Sequence, residues 1–369
     1  MSLDGVRVLD LSTLLPGPMA TLLLADAGAD VVKVERPGRG DEMRSYQPKL
    51  GGASANYAIL NRGKRAFAAD LKDPADRDRV LALATSADVV VEQFRPGVVD
   101  RLGLGYEAVR SRNPGVVYCS ITGYGQTGAH ATRAGHDLNY LAGMGLLDVV
   151  VDATGAPPLP PTVIADLAGG TYPAVVNILL ALRRRDATGV GAHLDISMSR
   201  NLQTMIYGYF ATHQAGGGWP VPGADLLTGG SPRYRIYPTA DGRHVAVASL
   251  EEKFWRLLAE LIGLPAEYLD DAGQEAAVAE AVAERIAAHP AAHWRSVFDG
   301  EDVCATVVGT FPEAVAAGLV TPDGPDRLVG DGFDVGALPS PVDPVLRPAP
   351  AAIGYPALEP LPVGDVWLS

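Results

Sequence analysis

The chain has 369 residues, 47% of them hydrophobic and 20% charged, with a net charge of -13; its length exceeds one ordinary core and predicts two domains, and its composition is that of a folded soluble protein, neither disordered nor fibrous. The acidic balance argues against nucleic acid as the main partner, because duplex binding leans on an excess of Lys and Arg. No apolar run approaches the about 18 residues of a membrane span, residues 1–10 enter a strand pattern without a signal peptide's basic and apolar regions, and Cys119 and Cys304, each among apolar neighbours, fit buried free thiols better than a disulfide framework. A cytoplasmic protein without a membrane partner is expected.

In chain order, residues 5–12 are a short β-rich run and residues 14–18 a turn. Residues 19–26 show helical spacing, residues 27–29 stop it, and residues 30–36 form a second strand ended by Pro37. This β-α-β unit implies a parallel sheet with a right-handed crossover. Its turn holds Gly17 but no G-x-G-x-x-G, so the nicotinamide fingerprint is missing. Glu35, at the strand end, resembles a ribose-binding acid, yet Arg36 beside it suits a phosphate or an adenine face better. The alternation continues with strands at 65–71, 87–92 and 115–122, a helix at 74–84 opened by Pro74, and short helices at 98–102 and 107–112. Ligands in such open sheets gather at the carboxyl ends of strands. Arg36, residues 70–72, residues 93–95 and residues 123–128 all fall there.

Beyond a Pro-rich linker at 156–161, a helix is predicted over 167–183, a turn at 186–191 and a strand at 192–197. The pattern then changes: an aromatic-rich helix at 201–214, a flexible Gly216-Gly217-Gly218, a hairpin over 235–250 turned by Asp241-Gly242, and helices at 251–261, 274–288 and 292–298. The expected organisation is α/β: a large domain with a parallel sheet over 1–199, completed by a C-terminal return at 321–369, and a smaller α+β domain over 200–320. The proline-rich stretch from Leu338 is expected to lie extended along the surface or across a partner subunit. Basic residues are concentrated early: Arg36, Arg39, Arg44, Arg62, Lys64, Arg65, Lys72, Arg95 and Arg101 all lie in the first third. Singly such residues are usually solvated; grouped near loop ends they suit a phosphorylated ligand.

The stretch Gly135-His136-Asp137-Leu138-Asn139-Tyr140, together with Asp166, carries the chemistry. One imidazole and one carboxylate, each where loop meets helix, are suited to act as two bases on opposite faces of a carbon acid. A carboxylate in a helix's first turn is held ionised by unpaired N–H groups and the dipole. Taken alone, Asp166 as a helix cap and His136 as a hydrogen-bonded loop residue are the commoner roles. The sequence contains no G-x-S-x-G elbow, C-x-x-C, H-E-x-x-H or complete Walker A. His289 and His293 are four apart but separated by Pro290 with no acid beside them, so no metal site is expected.

Several longer stretches resemble one family. They are residues 14–18 (Leu-Leu-Pro-Gly-Pro), residues 24–37, residues 60–65 (Leu-Asn-Arg-Gly-Lys-Arg), residues 69–72, residues 94–98 and residues 122–128. Together they are similar to the class III CoA-transferase family, also called CaiB/BaiF, and cover nearly the whole chain. The intact Gly-His-Asp-x-Asn-Tyr over 135–140 and the runs 223–234 and 240–247 resemble its α-methylacyl-CoA racemase branch. Asp225, where an Asn is common, and the longer segment 38–61, which resembles the transferase form, depart from that branch.

The resemblance implies a Rossmann-like large domain, an acyl-CoA thioester as substrate, no cofactor beyond the CoA it carries, and a homodimer of interlocked chains. By resemblance Arg36 meets the nucleotide end, Ala69, Asp70, Leu71, Lys72, Gln93, Phe94 and Arg95 surround the adenine and phosphates, and Arg101 meets a phosphate. Gly135, Asp137, Leu138, Asn139 and Tyr140 lie near the thioester. His136 and Asp166 become the two bases of a racemase, and Glu251 the acidic partner that fixes the histidine tautomer, with Glu252 adjacent in register. In a transferase Asp166 is instead the nucleophile that forms acyl anhydrides. A third alternative is an inactive acyl-CoA-binding relative. The sequence does not identify the acyl chain: Met144, Leu146, Leu147, Tyr207, Tyr209 and Phe210 are candidates for an apolar tunnel, though core packing is the commoner use of such residues.

Overall fold

The computed structural model describes residues 2–152, 154–362, 364 and 366–368. It divides into two compact units, one of residues 1–144, 160–205 and 321–369, the other of residues 145–159 and 206–320.

The first unit is built on β1 (Arg7–Asp10), α1 (Pro16–Asp26), β2 (Asp30–Glu35), α2 (Ala55–Asn61), β3 (Arg65–Ala68), α3 (Pro74–Ser86) and β4 (Val89–Glu92). It continues through α4 (Val98–Arg101), α5 (Tyr106–Arg110), β5 (Val117–Thr122), α6 (Asp137–Gly143), a π-helical turn at Ala165–Thr171, α7 (Tyr172–Thr188), β6 (Ala192–Ser197) and α8 (Met198–Asn201). The central strands are rich in Val and Leu because both faces of the sheet are covered there: Val8, Leu9, Val32, Val89, Val90 and Val117 are fully buried. Residues 14–18 are not the expected turn. Pro16 and Pro18 open α1, where a missing N–H costs nothing. Helix α7 likewise runs past the expected turn to Thr188 and closes on Gly189 at φ 71°, a conformation glycine adopts without strain.

The second unit holds α9 (Tyr207–Gln214), β7 (Tyr234–Pro238), β8 (His244–Ala248), α10 (Glu252–Ile262), α11 (Glu275–Ala287), α12 (Ala291–Phe298) and β9 (Ala305–Val307). The hairpin β7–β8 turns at Asp241-Gly242 as expected, and β9 adds to it antiparallel. Trp255, Leu258, Ala259 and Ile262 of α10 are buried, an i, i+3, i+4, i+7 stripe that packs with Val245, Val282 and Trp294 into this unit's own core.

The chain then returns to the first unit with β10 (Arg327–Gly330), β11 (Phe333–Gly336), β12 (Ala352–Gly354) and β13 (Leu358–Pro360). The proline-rich tail is therefore not merely extended: β13 pairs parallel with β3 and completes a seven-stranded sheet in the order β13-β3-β2-β1-β4-β5-β6. Every pair in that sheet is parallel. The chain leaves β1 outward toward β2 and β3, then returns to the other side for β4, so the strand order reverses between β1 and β4. A ligand crevice at the carboxyl ends of these two strands is what such a reversal creates.

Two expectations are corrected. Among the described residues one helical span, Ala165–Thr188, does reach the length and mean hydropathy (1.3) of a membrane segment; it carries Asp166 and lies against β5 and β6. Cys119 is buried, but Cys304 is exposed; it sits at φ 52° immediately before β9, between the buried Val303 and Ala305.

Candidate active site

The loops leaving β1 and β4 meet at the crevice. Gln93 accepts the Gly17 N–H at 3.0 Å, and a side chain at Gly17 would overlap Ser12 and approach Gln93, so only glycine lets α1 start this close. Leu14 is held at φ 63°, its N–H bonded to the Asp41 carboxylate at 3.2 Å. Asp41 is itself fixed by Lys33 at 3.2 Å, with both side chains fully buried.

A cavity of about 480 Å³ opens here, and His136 and Asp166 both line it, with Thr13, Gln93, Phe94, Arg95, Gly135, Asn139 and Tyr140. The two candidate bases, 30 residues apart in sequence, thus share one chamber. Each residue of the Gly-His-Asp-x-Asn-Tyr stretch except Leu138 has a visible task. Asn139 accepts the His136 backbone N–H at 3.0 Å and fixes the start of α6. The Tyr140 hydroxyl donates to the Gly135 carbonyl at 2.6 Å, and its ring covers Gly123 and Gly135, where an added Cβ would come within 2.5 and 2.8 Å of it. Asp137 is buried and its carboxylate accepts the Asp166 backbone N–H at 2.9 Å, which ties the two bases together through the backbone. Leu138 is exposed and, like Asp137, does not line the chamber.

Asp166 sits in the π-helical turn rather than in an ordinary first helical turn. Gly169 and Gly170 let that turn press on α8 and α1, since a Cβ there would overlap Met198 or approach Pro16. Its carboxyl is not held below the usual range as the dipole argument expects. Burial, helped by the neighbouring Asp137 carboxylate and opposed by His136, pushes it up to about 6. Desolvation outweighs the helix terminus. The result is a carboxylate mostly ionised at neutral pH yet readily protonated, which suits a group that both takes and returns a proton. Asp166→Asn should therefore stabilise the protein at pH 7 by about 1–3 kcal/mol, because burying the charge costs folding free energy. With a raised folded pKa the wild-type group contributes no cost below its ordinary 3.8 and the cost grows as pH rises through about 6. Thermal melts at pH 4 and pH 7.5 check this; an equal gain at both pH values would contradict it.

A second cavity of about 440 Å³ lies alongside, lined by Arg36, Ala69, Asp70, Leu71, Lys72 and Phe94. Thr13 and Phe94 are walls of both cavities. Arg36 donates to the Gly40 carbonyl at 2.9 Å and otherwise makes only an exposed 3.5 Å pair with Glu42. Arg101 lies on α4 and is not itself among the lining residues of either cavity, although Val98 and Leu102 beside it line the second. Much of the early basic cluster is structural: Arg62 pairs with Asp26 at 2.9 Å, Lys64 with Asp10 at 3.3 Å, and Arg65 with Asp30 at 2.6 Å. Glu35 is no ribose-binding acid here. Its carboxylate is taken by Arg44 at 2.7 Å, the Tyr57 hydroxyl at 2.6 Å and the Asp41 N–H at 2.7 Å.

In the second unit Glu251 precedes α10 and is exposed. Its neighbour Glu252 is committed to Arg233 at 3.1 Å and Arg256 at 2.8 Å, whereas Glu251 makes no ion pair among the described residues. Of the two, Glu251 is the carboxylate available for another task. Met144 belongs to the first unit; Leu146, Leu147, Tyr207, Tyr209 and Phe210 belong to the second. His289 and His293 stack on each other with ring centroids 4.0 Å apart.

His136 and Asp166 thus line one cavity at the switch point of a parallel sheet, beside a second cavity with Arg36 and Lys72 among its walls, in an open α/β fold. The sequence matches CoA-transferase family III over residues 3–324, and the chain belongs to that family. It is 35% identical to the α-methylacyl-CoA racemase of Homo sapiens, over 85% of this chain and 80% of that one. It is 36% identical to the succinyl-CoA:glutarate CoA-transferase of Mus musculus, over 73% of this chain and 61% of that one. A CaiB/BaiF family protein from Brucella suis superposes with a TM-score of 0.77 at 28% identity, covering 97% of this chain and 95% of that structure.

Proposed function

We propose that this chain inverts the α-carbon of a 2-methylacyl-CoA thioester by moving one proton between two bases. The observation that carries the reading is that His136 and Asp166 line a single chamber, joined to a cavity with Arg36 and Lys72 that suits the phosphates and adenine of CoA. Conjugation as a thioester makes the α-hydrogen acidic enough for a side chain to remove. His136 takes the proton from one enantiomer while Asp166, protonated, delivers one to the opposite face of the enolate; the reverse direction exchanges the roles. No cofactor beyond the CoA of the substrate takes part. The 35% identity to a racemase supports the reading, while a transferase at 36% keeps a second one in view, in which Asp166 attacks the thioester and CoA passes to another acid.

Hydroxylamine separates the two. A racemase leaves no hydroxamate on Asp166 and transfers no CoA to an added carboxylic acid. Labelling of Asp166, with transfer that survives His136→Ala, would replace the racemase reading by the transferase one. A cytoplasmic homodimer is part of the same proposal. Tyr172, Val176, Leu179 and Leu180 of α7, exposed at 49%, 54%, 42% and 63%, form an apolar face that such an assembly would cover.

A further inference from the structure

A third cavity of the first unit, about 570 Å³ in volume, adjoins the catalytic chamber and shares Arg133, Ala134 and Asn139 with it as walls. It begins one side chain from the reacting imidazole, because Asn139 holds the His136 backbone. Tyr124 stands between the two compartments, its ring edge-on to Tyr140 with centroids 5.2 Å apart. Arg133, Arg200 and His130 line this cavity, with the hydroxyls of Tyr124, Ser197 and Ser199. Among the described residues no Asp or Glu lines it, in a chain whose 43 acidic residues outnumber its 30 Lys and Arg. Arg133 makes no ion pair among the described residues. Arg200 is only loosely matched: its ion pair with Asp195 is 3.9 Å long, and the other oxygen of that carboxylate already accepts the Gln126 N–H at 3.0 Å.

Arg133 and Arg200 are exposed, and an alkyl tail seated on them would strip water from two guanidinium groups with no closely matched carboxylate to replace it. A planar anion is the ligand that guanidinium groups recognise best. We infer that this compartment receives the far end of the acyl group and that this end carries a carboxylate, so that the preferred substrate is the CoA thioester of a 2-methyl dicarboxylic acid. The inference rests on the proposed reading of the neighbouring chamber as the site of an acyl-CoA thioester.

The test compares three ligands on the full chain: free CoA, 2-methylpentanoyl-CoA, and 2-methylglutaryl-CoA with the thioester at C1. Binding is followed by calorimetry and C2 exchange by mass spectrometry in deuterated water. The acid-ended thioester is expected to bind about tenfold or more tightly than the methyl-ended one, and Arg200→Met is expected to abolish most of that ratio, with Arg200→Lys restoring part of it. Because the ratio is taken on one preparation, a partly misfolded variant does not alter it. Equal binding of both thioesters by the wild type, or a loss of free CoA affinity in Arg200→Met as large as the loss for the acid-ended ligand, would overturn the inference. Arg200-dependent preference without C2 exchange would uphold the carboxylate site and defeat the racemase reading; exchange without preference would do the reverse.

Discussion

Replacing His136 by alanine is expected to slow racemisation of a 2-methylacyl-CoA by about 100- to 10,000-fold, and Asp166→Ala to do the same, because each removes one of two general bases. The double variant is expected to be little worse than either single one, since a shuttle with one end missing is already broken. Affinity for the thioester should change far less, because CoA is expected in the neighbouring cavity with Arg36 and Lys72. The pattern distinguishes the two chemistries: if Asp166 were a nucleophile, Asp166→Ala would be disabling and His136→Ala mild. Loss of optical purity with each variant, alongside the binding constant, provides the comparison.

The largest stability effect is expected at Asp10. This fully buried carboxylate meets Lys64 at 3.3 Å, accepts the Thr21 hydroxyl at 2.6 Å and accepts the Ser12 N–H at 2.9 Å; Lys33, also fully buried, lies nearby against Asp41. Asp10→Ala would leave two buried ammonium groups to share Asp41, and breaking such a network by removing one partner costs about 3–5 kcal/mol. Burial alone would raise the Asp10 pKa, but Lys33, Lys64, Ser12 and Thr21 together outweigh it and hold the carboxyl at about 2. Its folded pKa being lowered, the contribution is present above the ordinary 3.8 and is lost as pH falls from there through about 2. Urea unfolding of the variant at pH 7 and pH 3 should show the gap narrowing at the lower pH. A variant as stable as wild type at pH 7 would show that the cluster contributes no net stability.

That cluster also links the fold to the chemistry. Lys33 and Asp41 hold the residue 13–14 loop that walls the catalytic chamber. Damage there should lower turnover as well as stability.

The alternation of strand and helix was legible because the central parallel strands carry runs of apolar residues and several helices carry caps or prolines at their starts. Residues 192–197 were predicted as the strand that the structure shows. What escaped the sequence depended on distant contacts. Helix α1 begins at Pro16 because Gln93 and Ser12 come close to Gly17 from elsewhere in the chain. Strand β13 forms at a proline-rich edge because β3 offers it an unpaired side. The position of Cys304 followed from a left-handed backbone that its apolar neighbours do not signal.

The site divides in the same way. The resemblance placed His136 and Asp166, and the structure puts them in one chamber. The role of Asp137 as acceptor of the Asp166 N–H was not legible, since nothing local joins residues 137 and 166. Nor was the raised Asp166 carboxyl, because helix dipole arguments are local whereas burial is set by the whole fold. Arg133 and Arg200 drew no notice in the sequence for the related reason that neither sits in a motif.

The most direct test follows the α-carbon itself. A single-enantiomer 2-methylacyl-CoA incubated with the wild-type protein in deuterated water should gain deuterium at C2 while its optical purity decays to the racemic limit. Retention of both the C2 hydrogen and the configuration, with active-site occupancy verified by binding, would contradict the two-base account.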